Sequence, residues 1–191
     1  MKLLEIEKST LNEYYDIVDE ILNSKEFQKR KEYMHHGKQS VYDHCLKVSI
    51  ISYKISKILG LDYKSAAIGG LLHDFYDKPW QNNKTKTTFF KQHGFVHAKQ
   101  AVNNTKKYFP QYYNKKVGNI ILRHMFPLNI VPPRYLESWI ISSVDKYVSM
   151  EIFNEPSKLL MYIGIKVGVE NEWYDSSNIY SNRWFNINNK S

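Results

Sequence analysis

A chain of 191 residues, 42% hydrophobic and 24% charged, is long enough to fold as one domain around its own core. Its mean hydropathy of −0.53 and its longest apolar runs, Ala66 to Leu72 and Leu159 to Ile165, exclude a spanning helix, which needs about 18 apolar residues in a row. The single cysteine, Cys45, excludes an internal disulfide and suits a reducing compartment, and Met1-Lys2-Leu3-Leu4-Glu5 lacks the apolar core of a signal peptide, so a cytoplasmic protein with no membrane partner is expected.

The punctuation of the chain predicts helices. Thr10-Leu11-Asn12-Glu13 and Ser40-Val41-Tyr42-Asp43 each place a carboxylate three residues after a capping hydroxyl. From Ser40, Val48, Ile51, Ile55, Ile58 and Leu59 recur at helical spacing until Gly60 closes the segment. Asp62 caps the next helix, which is almost wholly apolar from Ala66 to Leu72 and reads as central and buried. A polar loop from Gln81 to Thr88 follows. Helical patterns then run from about His97 to Tyr108, Lys115 to Met125 and Arg134 to Phe153, with Pro110, Pro127 and Pro132-Pro133 between them. Pro156 suits the first turn of a further helix ending near Val169. No run alternates strictly enough for a strand. The tail from Asn171, with Trp173, Tyr174, Tyr180, Trp184 and Phe185, is expected to pack on the body or on the partner subunit of a homodimer. The expectation is one all-α domain over residues 1–191.

Charge is unevenly spread. The net charge is +8, and between Asp77 and Glu137 there is no acidic residue but eleven basic ones, from Lys78 to Arg134. Such a one-signed region attracts anions through its summed field; the plainer alternative is a lysine-rich, solvated surface.

The chemistry lies in where the histidines fall. His44 shares an apolar stripe with Val48 and Ile51. His73-Asp74 ends the buried helix directly after Leu71-Leu72. His97 opens a helix. His124 lies in register with Val117 and Ile120, and Asp145 with Ile141 and Val148. One inward histidine is usually a satisfied core residue, but six imidazole and carboxylate groups facing inward are costly to bury unpaired. A metal removes that cost, and this donor set suits Fe, Mn, Zn, Ni or Co. Adjacent His73 and Asp74 diverge by about 100° on a helix, so they can straddle a metal pair with Asp74 bridging. Two ions about 3.5–4 Å apart can activate a hydroxide and clamp a phosphoryl group.

The order His44, His73-Asp74, Asp145 resembles the HD domain superfamily, named for that doublet, over about residues 38 to 150. The strings Leu71-Leu72-His73-Asp74, Phe95-Val96-His97-Ala98, Leu122-Arg123-His124 and Ser143-Val144-Asp145-Lys146-Tyr147 carry the likeness. The resemblance implies an HD-type helical bundle with metal-dependent phosphohydrolase activity. His44, His73, Asp74 and Asp145 match its basic four-ligand site. His97 and His124 match the added histidines of binuclear members, among them diadenosine tetraphosphate hydrolases, cyclic-dinucleotide phosphodiesterases and inositol oxygenase. Met125 directly after His124, and the absence of a Gly-Tyr-Pro string, disfavour the HD-GYP type of phosphodiesterase. The likeness to small bacterial HD proteins supplies no substrate.

Asp74, Asp77 and Lys78 are the expected catalytic groups. Asp77 stands where some HD nucleotidases carry a glutamate that assists the attacking water; the alternative is a turn aspartate. Lys78, Arg123 and Lys146 flank proposed ligands and are expected to hold substrate phosphate, the alternative for each being a surface cation. His93, four residues before His97, supports a ligand, lines the pocket or faces solvent. His35 and His36 are given no role, and Cys45, pointing away from His44, reads as a small buried residue. The leading reading is hydrolysis of a small anionic substrate, a nucleotide or other phosphoester, by a metal-activated hydroxide with two divalent ions as cofactor. A dinuclear iron oxygenase on the same scaffold is the second reading, marked by oxygen dependence and a mixed-valent iron signal. The third is a non-catalytic, metal-stabilised regulatory module contacting nucleic acid, marked by salt-sensitive binding without turnover.

Overall fold

The computed structural model describes residues 2–35, 39–77 and 89–150, with side chains at all of these except 2–9, 35, 39, 89–95 and 150. Helices α1 (Lys2–Asn23), α2 (Lys25–Gln28), α3 (Val41–Ile58), α4 (Tyr63–Leu72), α5 (Phe89–Tyr108), α6 (Lys115–Arg123) and α7 (Leu136–Met150) make up almost all of it. The β structure among the described residues is one antiparallel pair, β1 (Met34–His35) with β2 (Gln39–Ser40), Met34 facing Ser40. The fold is all-α.

Local chemistry explains the starts and stops near the centre. Ser40 caps α3, its Oγ accepting from Asp43 N at 3.1 Å. The helix ends on Gly60, whose φ of 66° only glycine adopts freely. There Gly60 N donates to Lys57 O and Leu61 N to Ser56 O, a Schellman pair. Asp62 caps α4 through Ser65 N at 3.0 Å, and Asn114 caps α6 through Val117 N at 2.8 Å.

Two helix starts differ from the sequence reading. Thr10 lies inside α1 and is not its cap, because nothing between Lys2 and Ser9 breaks a helix. α5 begins at Phe89, so His97 sits near its middle. Gly94 costs a helix only about 1 kcal/mol relative to alanine, too little to end one that packs against α6. The expected loop 81–88, the end of the last helix at Phe153, the helix from Pro156 and the C-terminal tail lie outside the described residues.

α4 is the hub, touching α1, α3, α6 and α7. Its small residues allow the approach. At Gly70 an added Cβ would stand 2.9 Å from Ser49 Cα of α3, and at Gly69 only 2.6 Å from the Ile120 side chain of α6. Leu71, Leu72, Val41, Cys45, Tyr14, Val18, Phe75, Val117 and Ile121 form one core around it. Among the described residues no helix is long and apolar enough to cross a membrane.

Candidate metal centre

Because α4 is pressed between α3 and α6, the residues just past its C-terminus meet side chains from four other helices. His44, on the inward face of α3, brings its Nε2 to 3.3 Å from His73 Nε2 and 3.0 Å from Asp145 Oδ1 of α7. The third edge, His73 Nε2 to Asp145 Oδ1, is 3.5 Å. A second triangle stands beside the first. His97 Nε2 of α5 lies 3.2 Å from His124 Nε2, at the end of α6, and both nitrogens lie 3.5 Å from Asp74 Oδ1. The other carboxylate oxygen, Asp74 Oδ2, faces back to His73 Nε2 at 3.7 Å. The six groups thus form two triads, His44–His73–Asp145 and Asp74–His97–His124, either of which could hold a metal ion.

The donor set fits such an ion on two counts. Ligands about 2.0–2.2 Å from a metal, at angles between a right angle and tetrahedral, stand about 3.0–3.5 Å apart, which is the range of the edges here. The second count is electrostatic. His73 Nδ1 donates to Gly70 O and His124 Nδ1 to Ile121 O, both at 2.7 Å, so in the neutral rings each Nε2 is left with a lone pair aimed at a carboxylate oxygen. Lone pair against anion is repulsive unless a cation, a metal ion or a proton on the ring itself, lies between. Burial pushes the Asp74 carboxyl up, but His73, His124 and His97 outweigh it and hold it well below the usual range. Asp145 likewise is raised by burial and held well below that range by His44 and His73. Both stay ionised inside the protein and call for positive charge. Burial pushes the His73 imidazole down, but Asp74 and Asp145 outweigh it and raise it well above its usual value, so without metal that ring carries the counter-charge, and a bound cation would take the place of its proton.

Both His73 and His124 use one local device: a histidine directly after the last helical residue bonds the carbonyl three residues back, which satisfies one orphan of the helix end. His44, His73 and His124 are buried, whereas the His97 side chain is 23% exposed, so the centre opens at His97, with the buried Tyr76 ring against it.

The remaining candidates are placed as follows. Asp77 belongs to neither triad. Its carboxylate, 57% exposed, pairs with Arg30 Nη2 at 3.2 Å, and its carbonyl accepts from Tyr33 Oη. Arg30 itself is 1% exposed, its guanidinium held between the rings of Tyr33 and Phe75. Arg123 donates to Asn129 Oδ1 at 3.3 Å. Lys146 is half-buried and directs its ammonium to Ser142 and to His124 O; burial pushes its pKa down against the pull of Asp145. Lys78 and His36, and the side chains of His35 and His93, lie outside what is described. Cys45 is buried as expected, and burial pushes its thiol up.

The sequence reading missed Arg30 and Ser142. Arg30 sits in Lys29-Arg30-Lys31-Glu32, a run that reads as solvated. Ser142 had a usable signal: Ser138, Ser142, Asp145 and Ser149 share one face of α7, and the first three are buried.

The model of the HD domain matches residues 41–150. The chain belongs to the HD domain family. No curated protein and no solved structure matches it. HD domains as a class are metal-dependent phosphohydrolases, and the two His/Asp triads of this member fit the binding of divalent metal.

Proposed function

We propose that this HD-domain chain hydrolyses the phosphoester of a small anionic substrate, a nucleotide or a related phosphorylated compound, at two divalent ions held by the two triads. His44, His73 and Asp145 would hold one ion, and His97 and His124 the other. The observation that supports this best is Asp74, whose two oxygens face different triads. Divalent metal bound there would supply charge neutralisation on the phosphoryl group and lower the pKa of an attacking water toward neutrality. The chain's own part is to hold Asp74 ionised between the two histidine sets, to exclude water around His44 and His73, and to leave the His97 edge open for the substrate. The acid-free stretch from Lys78 to Arg134 contains both His97 and His124, so its positive field favours a phosphorylated substrate at that edge.

The test is Asp74→Ala, purified without chelator beside the wild type. Elemental analysis should find both ions lost from the variant, and a panel of nucleotides and other phosphoesters should find hydrolysis only in the wild type. Wild-type metal content in Asp74→Ala would overturn the assignment.

A further inference from the structure

The first triad depends on α7, which carries Asp145, and the second on the end of α6, which carries His124. One carbonyl joins the two. His124 O belongs to the last turn of α6, where carbonyls have no partner within the helix. It accepts instead from two side chains of α7: Ser142 Oγ at 2.7 Å and Lys146 Nζ at 3.2 Å. Lys146 Nζ also donates to Ser142 Oγ at 2.8 Å and to Ser142 O at 2.9 Å. An ammonium has three protons, and here three protein oxygens receive them. Ser142 Oγ also lies 3.2 Å from Phe126 O, which ties the chain beyond His124 to the same point. The ring of His124 is fixed in turn by Nδ1 on Ile121 O.

Lys146 directly follows Asp145. The turn of α7 that sends a carboxylate to the first triad therefore sends an ammonium to the backbone that carries the second. A substrate phosphate that captured Lys146 would have to strip it from all three acceptors and leave the His124 carbonyl to Ser142 alone. We infer that Lys146, acting with Ser142, is a positioning residue that sets the separation of the two triads, and is not a phosphate-binding group. The inference rests on the reading of the triads as metal sites.

Metal-free wild type, Lys146→Met and Ser142→Ala are titrated with Mn(II), following each binding step by calorimetry and the exchange coupling of the ion pair by electron paramagnetic resonance. Lys146→Met should bind the first ion as the wild type does, bind the second about 10–100-fold more weakly, as loss of a group that orients a ligand does, and show altered coupling. Ser142→Ala should shift in the same direction by less. For a phosphoester that the wild type hydrolyses, kcat should fall in Lys146→Met while KM changes little. Wild-type affinities and coupling in both variants, with KM alone raised in Lys146→Met, would overturn the inference and return Lys146 to the substrate. If Lys146→Met does not fold, Ser142→Ala, which loses a single oxygen, decides by the same two metal readouts. A wild-type chain that takes up fewer than two ions overturns the two-site reading itself, and this inference with it, so the two failures are distinct.

Discussion

Gly70→Ala tests whether the close approach of α3 and α4 sets the first triad. The added Cβ would stand 2.9 Å from Ser49 Cα, 3.3 Å from Ser49 N and 3.5 Å from Val48 O. All three are backbone atoms of α3, so no change of rotamer relieves the contact and the helices must separate. Overpacking of this kind costs about 1–3 kcal/mol, toward the upper end where backbone must move. Replacing a helical glycine by alanine returns about 1 kcal/mol. The net loss of about 1–2 kcal/mol lowers Tm by about 2–8 °C for a chain of this size. Since His73 lies three residues on, and its Nε2 is only 3.3 Å from His44 Nε2 of α3, the same separation should weaken binding of the first ion. Gly60→Ala is the control. Its φ of 66° makes alanine strained by about 1–2 kcal/mol, but nothing lies within 4 Å of its added Cβ. It should lose comparable stability and keep metal affinity. Thermal unfolding of the metal-free proteins and calorimetric titration with Mn(II) read the two effects. A Gly70→Ala variant that melts at or above the wild type and binds the first ion as tightly would refute the reasoning.

His97→Ala should lose one ion and keep the other by elemental analysis, because His97 belongs to the second triad alone; a variant with both ions retained would count against that role. For any phosphoester turned over, kcat/KM should fall with rising salt while kcat stays nearly constant, since the field from Lys78 to Arg134 acts on capture; a flat kcat/KM would separate that field from the site. Glu137, 4% exposed, accepts from Asp62 N and Lys116 Nζ, both at 2.9 Å, and so joins the starts of α4, α6 and α7. Glu137→Gln should cost about 1.5–3 kcal/mol near neutral pH. Burial raises this carboxyl, but Lys116 and Asp62 N hold it below its ordinary value, so the charged form is the stabilising one. Its contribution is complete above the ordinary carboxylate range and is lost as pH falls through the lowered value. The Tm gap between wild type and Glu137→Gln should therefore narrow below about pH 4, and a gap independent of pH would show that the charge plays no part.

How much of the centre was legible in the sequence follows from how each side chain is aimed. His44 lies on the stripe of Val48, and Asp145 on that of Ile141, so helical periodicity alone turns both inward. His73 follows the apolar turn that ends its helix, a local pattern visible within four residues, and His124 lies in helical register with Val117 and Ile120. His97 was legible as a residue but not as a place: its helix was expected to begin with it, yet starts eight residues earlier, through a glycine that propensity alone does not favour. Asp77 was expected near the attacking water because it stands where some HD nucleotidases carry a glutamate, with a turn aspartate as the alternative. The structure instead turns it to Arg30, a buried guanidinium inside a run of charge that reads as solvated surface.

By itself the sequence determined the all-helical class, the caps at Ser40 and Asp62, the Gly60 stop and the identity of the six inward donors. Each of these depends on neighbours within a turn or two, through hydrogen bonds and periodicity that hold whatever the rest of the chain does. The division of the six donors into two triads, the turning of Asp74 toward both, the Asp77–Arg30 pair and the Lys146 bridge to the His124 carbonyl were decided only by tertiary structure. His44 and Asp145 meet across 101 residues of chain, and Arg30 and Asp77 across 47. Which distant groups meet is set by how closely α4 can approach its neighbours, and that distance is fixed by packing at Gly69 and Gly70, a property of the assembled core and not of any local segment.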